Sequence, residues 1–161
     1  MSSTVAILNL ETLLERIAAD YPDLQLVEGA QFAWHAQQKH LAYKKTSKNT
    51  TQNIFALLHE LGHAVLNHHE YAYDIELLQL EVAAWEKARE LAKRYGVELD
   101  EDYTQDCLDT YRDWLHLRAT CPTCFARSLQ ASIHQYRCFN CQTTWQVTRS
   151  RLCRPYRLKT H

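Results

Sequence analysis

Apolar residues along this chain first recur at helical spacing: Leu10, Leu13, Leu14 and Ile17 fall at i, i+3, i+4 and i+7 behind Asn9, whose side chain suits an N-cap. The spacing predicts a helix that covers a core and stops near Tyr21-Pro22-Asp23. Partial alternation follows, with Phe32 and Trp34 in one segment and Leu41 and Tyr43 in another. Segments 24–28, 31–35 and 41–44, parted by Gly29 and the polar run 36–40, predict strands with a hairpin, and so a small antiparallel sheet. From about 51 to 68 apolar residues occupy nearly every face, the mark of a buried helix that Asn49, Thr50 or Thr51 could cap. A longer helix spans 74–95 and closes at Gly96, a natural C-terminal cap, and another covers about 102–117. The remainder carries few helix signals. The expectation is an α+β chain of two domains: residues 1–118, helical with a small sheet, and a smaller module over 119–161.

Composition changes this picture in two respects. The 161 residues are 46% apolar with three Gly and three Pro, which excludes disordered and fibrous classes. No run approaches the roughly 20 apolar residues of a membrane span, and the start, MSSTVAILNLETLLER, lacks the features of a secretory signal. A cytoplasmic location without membrane partners is therefore the expectation. The net charge of −1 hides an asymmetry, because residues 114–161 hold eight Lys and Arg and no Asp or Glu, leaving ten basic against nineteen acidic groups upstream. The two parts should meet different partners.

The buried helix contains His59-Glu60-Leu61-Gly62-His63, an HExxH sequence. Histidines four apart lie one turn along a helix and about 40° around it, so both imidazoles can face one zinc ion. Glu60, next to the first ligand, is placed as general base toward a zinc-activated water. A catalytic zinc takes a third protein ligand. On the apolar stripe of the following helix, Leu77, Leu78, Ala84, Trp85, Ala88, Leu91, Ala92 and Tyr95, the one residue neither apolar nor aromatic is Glu81. A carboxylate there needs a cation, either a metal or a buried Arg or Lys, and small Ala84 would let the two helices approach. A rival third ligand is His69, the last position of an HExxHxxGxxH pattern. There Leu66 replaces the turning Gly, so His68 and His69 read instead as a frayed helix end favoring His⁺.

These residues carry a resemblance. FALLHELGHAVLNHH followed by the E-V-A-A-W of Glu81–Trp85 is similar to the HELGH helix and downstream Glu helix of ImmA/IrrE-type metallopeptidases, across about residues 50–92. The resemblance implies a zincin-like domain of gluzincin type, with zinc on His59, His63 and Glu81 and Glu60 catalytic. ImmA/IrrE proteins commonly work beside a helix-turn-helix repressor domain, which this sequence lacks. SprT-like proteins, which pair an HExxH domain with a C-terminal zinc ribbon and act on DNA-bound proteins, are a second resemblance, but their third ligand is typically His.

The module over 119–161 contains Cys121-Pro-Thr-Cys124 and Cys138-Phe-Asn-Cys141, the spacing of a Cys₄ zinc ribbon whose structural zinc ion closes two knuckles. Two redox CxxC pairs are the alternative, but neither opens a βα unit. Segments 134–138 and 144–147 read as strands into and out of the second knuckle. The Gly that often follows a knuckle is replaced by Phe125 and Gln142, and Cys107 and Cys153 are left over. The basic, acid-free composition with Tyr136, Trp145 and Tyr156 suggests a nucleic-acid footprint, though the tail 149–161 could equally dock on an acidic protein or on the first part of its own chain.

Two functions from different classes follow. In the first, a zinc-dependent peptidase hydrolyses a peptide bond of a specific intracellular protein, with the extended substrate added to a sheet edge around 32–35 or 41–44. Tyr71, Tyr73, Tyr103, Tyr111 and His116 are candidate oxyanion donors, and Asp106, Asp109 and Asp113 candidate carboxylates behind the imidazoles. In the second, the protein is a non-enzymatic, zinc-stabilised regulator that binds nucleic acid or protein through the ribbon. Two zinc ions per chain are expected, one catalytic and one structural.

Overall fold

The computed structural model describes residues 9–45, 51–148 and, for the backbone alone, 157–160. It is an α+β chain with the element order α1 (Leu10–Asp20), β1 (Gln25–Gly29), β2 (Ala33–His35), β3 (His40–Lys44), α2 (Thr51–Val65), α3 (Asp74–Tyr95), α4 (Glu101–Ala119), β4 (Leu129–Ser132), β5 (Gln135–Arg137), β6 (Thr144–Val147) and β7 (Arg157–Thr160). No helix among the described residues is long and apolar enough to cross a membrane.

Contacts divide the chain into two compact units, Met1–Glu70 with Leu80–Asp100 and Tyr71–Gln79 with Glu101–His161. In this grouping α4 and the first turns of α3 cluster with the C-terminal sheet. A buried ionic network explains the grouping. Asp74, the first residue of α3, is buried and receives Arg118 Nε at 2.6 Å and Nη2 at 3.2 Å; Tyr136 donates its hydroxyl to the same carboxylate at 2.5 Å. Arg118 also donates to the Thr148 carbonyl, lies over the Trp114 ring, and accepts Trp145 Nε1–H at its own carbonyl at 2.9 Å. Buried charges must stay paired, so these segments are held as one body.

In the first unit, α1 begins as its spacing predicts. The Asn9 side chain accepts from Thr12 N–H at 2.8 Å, and Leu10, Leu13 and Ile17 are buried. The sheet has the order β1-β3-β2. β2 and β3 form the predicted hairpin, with Trp34 opposite Leu41, but β1 pairs with β3 in parallel, Leu26 opposite Leu41, so the sheet is mixed rather than wholly antiparallel. The physical reason lies in β3: neighbors Leu41 and Ala42 point to opposite faces and are both buried, which suits a central strand. The chain leaves β1 for the far edge, runs down β2 and returns between them.

Helix α2 is buried through Ile54, Phe55, Leu57, Leu58 and Leu61. Of its proposed caps, Asn49 and Thr50 lie outside the described residues. It ends at Val65, earlier than the pattern predicts. Helix α3 closes at Gly96, whose φ of +72° accompanies a bond from Val97 N–H to the Ala92 carbonyl at 2.8 Å. Its first turn is capped by Glu76, which accepts from Ala72 and Tyr73 N–H at 2.8 and 3.0 Å, so this carboxylate is engaged rather than merely solvated.

In the second unit, β4-β5-β6-β7 form an antiparallel sheet. Among the described residues its core is Cys121, Tyr136, Cys138, Trp145 and Val147, with the Tyr136 and Trp145 rings stacked at 5.5 Å.

Candidate metal centres

The HExxH residues lie on α2, and one helical turn brings His59 Nε2 to 3.1 Å from His63 Nε2. From α3, Glu81 places Oε2 3.0 Å from His59 Nε2 and Oε1 3.6 Å from His63 Nε2. Tetrahedral donors at zinc distances of about 2.0–2.2 Å lie about 3.4 Å from one another, so the three spacings bracket what one zinc ion requires. Two imidazole nitrogens and a carboxylate converging in a buried place form a metal-binding triad, and that donor set fits zinc. Among the described residues, no fourth His, Cys, Asp or Glu joins the group. Three protein ligands are the catalytic count, whereas structural zinc sites use four.

Glu81 is only 4% exposed. Burial pushes its carboxyl up, but the hydrogen bonds and charges of His59 and His63 outweigh that effect and hold it at about 2, so it stays ionised. The sequence permits the approach of the two helices at one place. A Cβ on Gly62 would stand 2.5 Å from the Ala84 carbonyl oxygen, and Ala84 is itself fully buried. Any larger side chain at position 62 would push the Glu81 helix away. The next aromatic on α3, Trp85, stacks on the His59 ring at 4.3 Å and 26°, fixing its plane. His59 Nδ1 is buried with no hydrogen-bond partner among the described residues.

Glu60 lies beside the triad sequence without joining it. Its Oε2 accepts the backbone N–H of Trp34 at 2.8 Å. Trp34 sits on β2, an edge of the sheet, and its amide points away from β3 toward the carboxylate. Of the two expected edges, 32–35 is therefore at the HExxH helix, and 41–44 belongs to the central strand β3, which has no unpaired side. The Trp34 indole donates Nε1–H to the His68 carbonyl at 2.9 Å.

The end of α2 corrects two expectations. Asn67 adopts φ +52°, His68 N–H bonds the His63 carbonyl and Asn67 N–H bonds the Ala64 carbonyl, both at 3.0 Å. These two bonds are a Schellman motif with Asn67 in the left-handed position, one residue past Leu66, where the extended pattern has Gly. His69 is exposed and outside the metal group, so the third donor is Glu81. His68 is not frayed. Its Nδ1 lies 2.8 Å from His63 Nδ1, and burial, then the His63 imidazole, lowers its pKa, which works against the cation expected at a helix end. The other groups considered for supporting roles, Tyr71, Tyr73, Tyr103, Tyr111, His116, Asp106, Asp109 and Asp113, all belong to the second unit.

That unit holds a second cluster, Cys121, Cys124, Cys138 and Cys141. Cys121 and Cys141 Sγ are 3.6 Å apart, and Cys124 and Cys138 Sγ 3.5 Å, near the separation of about 3.8 Å implied by zinc–sulfur distances of about 2.3 Å. Each knuckle is a tight turn: Phe125 N–H bonds the Cys121 carbonyl and Gln142 N–H bonds the Cys138 carbonyl, both at 3.0 Å. Phe125 and Gln142, the two positions lacking the usual Gly, both take φ +62°, so the geometry is kept at a steric cost of roughly 1–2 kcal/mol each. The backbone N–H of Cys141 holds the Cys138 thiol down at about 6, toward the thiolate that binds metal. Cys107 lies outside this group, and Cys153 outside the described residues.

The proposed stacking residues are otherwise employed. Tyr136 and Trp145 are 2% and 0% exposed, and Tyr156 lies outside the described residues. Among the described residues of 119–148 the exposed aromatics are instead Phe125 and Phe139, at 73% and 69%, one on each knuckle. Against known proteins, the chain matches no protein-family model, no curated protein and no solved structure.

Proposed function

We propose that the protein is a zinc-dependent peptidase whose catalytic zinc is held by His59, His63 and Glu81, with Glu60 as the catalytic residue. One observation carries the reading: a three-donor cluster beside a glutamate that is itself fixed by a sheet edge. The similarity of the HELGH and E-V-A-A-W segments to ImmA/IrrE-type peptidases supports the same assignment. Zinc, when bound, supplies a Lewis acid that makes water acidic enough to attack near neutral pH and polarises the peptide carbonyl.

The chain's own groups do the rest. Trp34 N–H engages one oxygen of Glu60 and so orients the carboxylate, whose other oxygen takes the proton of the attacking water and passes it to the leaving amine. The outward carbonyl of Trp34, on the same side of β2 as its amide, is available to an extended substrate laid along that edge. Glu60→Gln keeps the shape and removes the base. Cells producing the wild type should accumulate new protein termini, detected by mass spectrometry. In Glu60→Gln the same termini should fall by about 10²–10⁴-fold with zinc content unchanged. An identical set of termini in both would refute the proposal.

The second reading, in which the C-terminal unit binds nucleic acid, draws support from Phe125 and Phe139, exposed on adjoining knuckles in a region free of acidic residues. Affinity for single-stranded oligonucleotides should fall steeply with salt and with Phe125→Ala plus Phe139→Ala. Salt-independent binding would contradict it.

A further inference from the structure

His68 has no part in the HExxH pattern, yet the fold delivers its ring to a metal ligand. A Schellman motif sets its last residue over the third residue from the helix end, where an apolar contact is usual. At the end of α2 these two positions are His68 and His63, and the contact is polar, Nδ1 to Nδ1 at 2.8 Å. The ring planes lie nearly at right angles, at 75°, so the nitrogen of one ring meets the other edge-on.

We infer that His68 is a positioning residue that sets the tautomer and orientation of His63 for metal binding. The inference rests on the zinc reading of the triad. His63 meets His59 and Glu81 through Nε2. A neutral imidazole that coordinates through Nε2 carries its proton on Nδ1, and only an acceptor can face that atom. His68 Nδ1 is that acceptor: His63 Nδ1–H donates to it, and the His68 proton then resides on Nε2. Ligating histidines elsewhere use a carboxylate or a carbonyl for this purpose, and here a second imidazole replaces them. The same residue reaches the proposed base by another route. Its carbonyl accepts the Trp34 indole, and Trp34 N–H holds Glu60, so one capping turn steadies both a ligand and the glutamate. Since the indole is held by the main chain, side-chain substitution at 68 tests the imidazole alone.

The test is zinc affinity measured on the full chain by competition with chelators of graded strength, with the ribbon zinc as internal reference. His68→Ala should weaken the non-ribbon zinc by about 10–100-fold. His68→Asn retains a side-chain acceptor and should recover part of that loss. The thermal midpoint of the zinc-free protein should be the same in wild type and His68→Asn, which separates positioning from folding. Wild-type affinity in His68→Ala would overturn the inference, as would equal losses in both variants, since the ring would then act only by filling space. A wild type that binds zinc at the ribbon alone would instead overturn the triad reading beneath it.

Discussion

The two metal clusters are built in opposite ways. The four cysteines come from two short knuckles within 21 residues, and each knuckle sets its own pair of sulfurs through a turn of the backbone. Among the described residues the core beside them is Tyr136, Trp145 and Val147 with Cys121 and Cys138 of the cluster itself, too few to hold a sheet without a crosslink. The His/His/Glu cluster draws on two helices, and it is set among packed Leu, Ala and Trp side chains that would be buried with or without an ion. In the second unit a bound metal would supply the crosslink that the small core does not. In the helical unit the fold makes the metal site. A site of the second kind has its donors aligned before the ion arrives and can stop at three ligands, which is what catalysis requires.

The contrast can be broken at the ribbon first, where the effect should be largest. Apparent binding energies of structural zinc in small domains are on the order of 10 kcal/mol and are also folding energies. Cys138→Ser should therefore lose one zinc and the dispersed amide signals of β4–β6 together. The signals of α2 should persist; their loss in the same variant would show that the first unit does not stand by itself.

At the helical site the equivalent weak point is packing rather than a ligand. Gly62→Ala adds a favorable helix former, by about 1 kcal/mol, but forces a methyl group against the Ala84 backbone. The clash costs about 1–3 kcal/mol, so the net expectation is destabilisation of up to about 2 kcal/mol by denaturant unfolding, with weaker zinc binding at the triad and none lost from the ribbon. A stabilised variant with unchanged zinc affinity would mean that the close approach is not what sets Glu81.

The smallest effect belongs to the helix cap. Asn67→Ala, at φ +52°, should cost roughly 1 kcal/mol, while Asn67→Gly should be neutral or slightly stabilising. Equal stabilities of the two in thermal unfolding would remove the left-handed cap from the explanation of how His68 reaches His63.

Much of this was legible in the residues themselves. Helical spacing and Asn9 mark α1, Gly96 marks the end of α3, and Glu81 stands out because a carboxylate interrupts an apolar stripe. These are local signals, each visible within a turn or two of chain. What escaped depends on partners distant in sequence or on unusual conformers. Asp74 and Arg118 are 44 residues apart, and nothing in either neighborhood announces the pair that draws α4 toward the ribbon. The parallel pairing of β1 depends on which strand becomes central, a choice made by burial on both faces of β3. The extended pattern places a glycine at the turn after α2, whereas Asn67 supplies the same left-handed backbone; an Asn just past a helical pattern is the signal for it. Phe125 and Gln142 repeat the lesson in the ribbon, where the metal knuckle imposes a conformation their side chains disfavor.

The most direct test of the central claim is a count of zinc ions per chain in the wild type and in Glu81→Gln, which removes the charge and preserves the shape. The account predicts two in the wild type and one in the variant, with the remaining ion released by modification of the cysteines. One ion in the wild type, or two retained in Glu81→Gln, would contradict it.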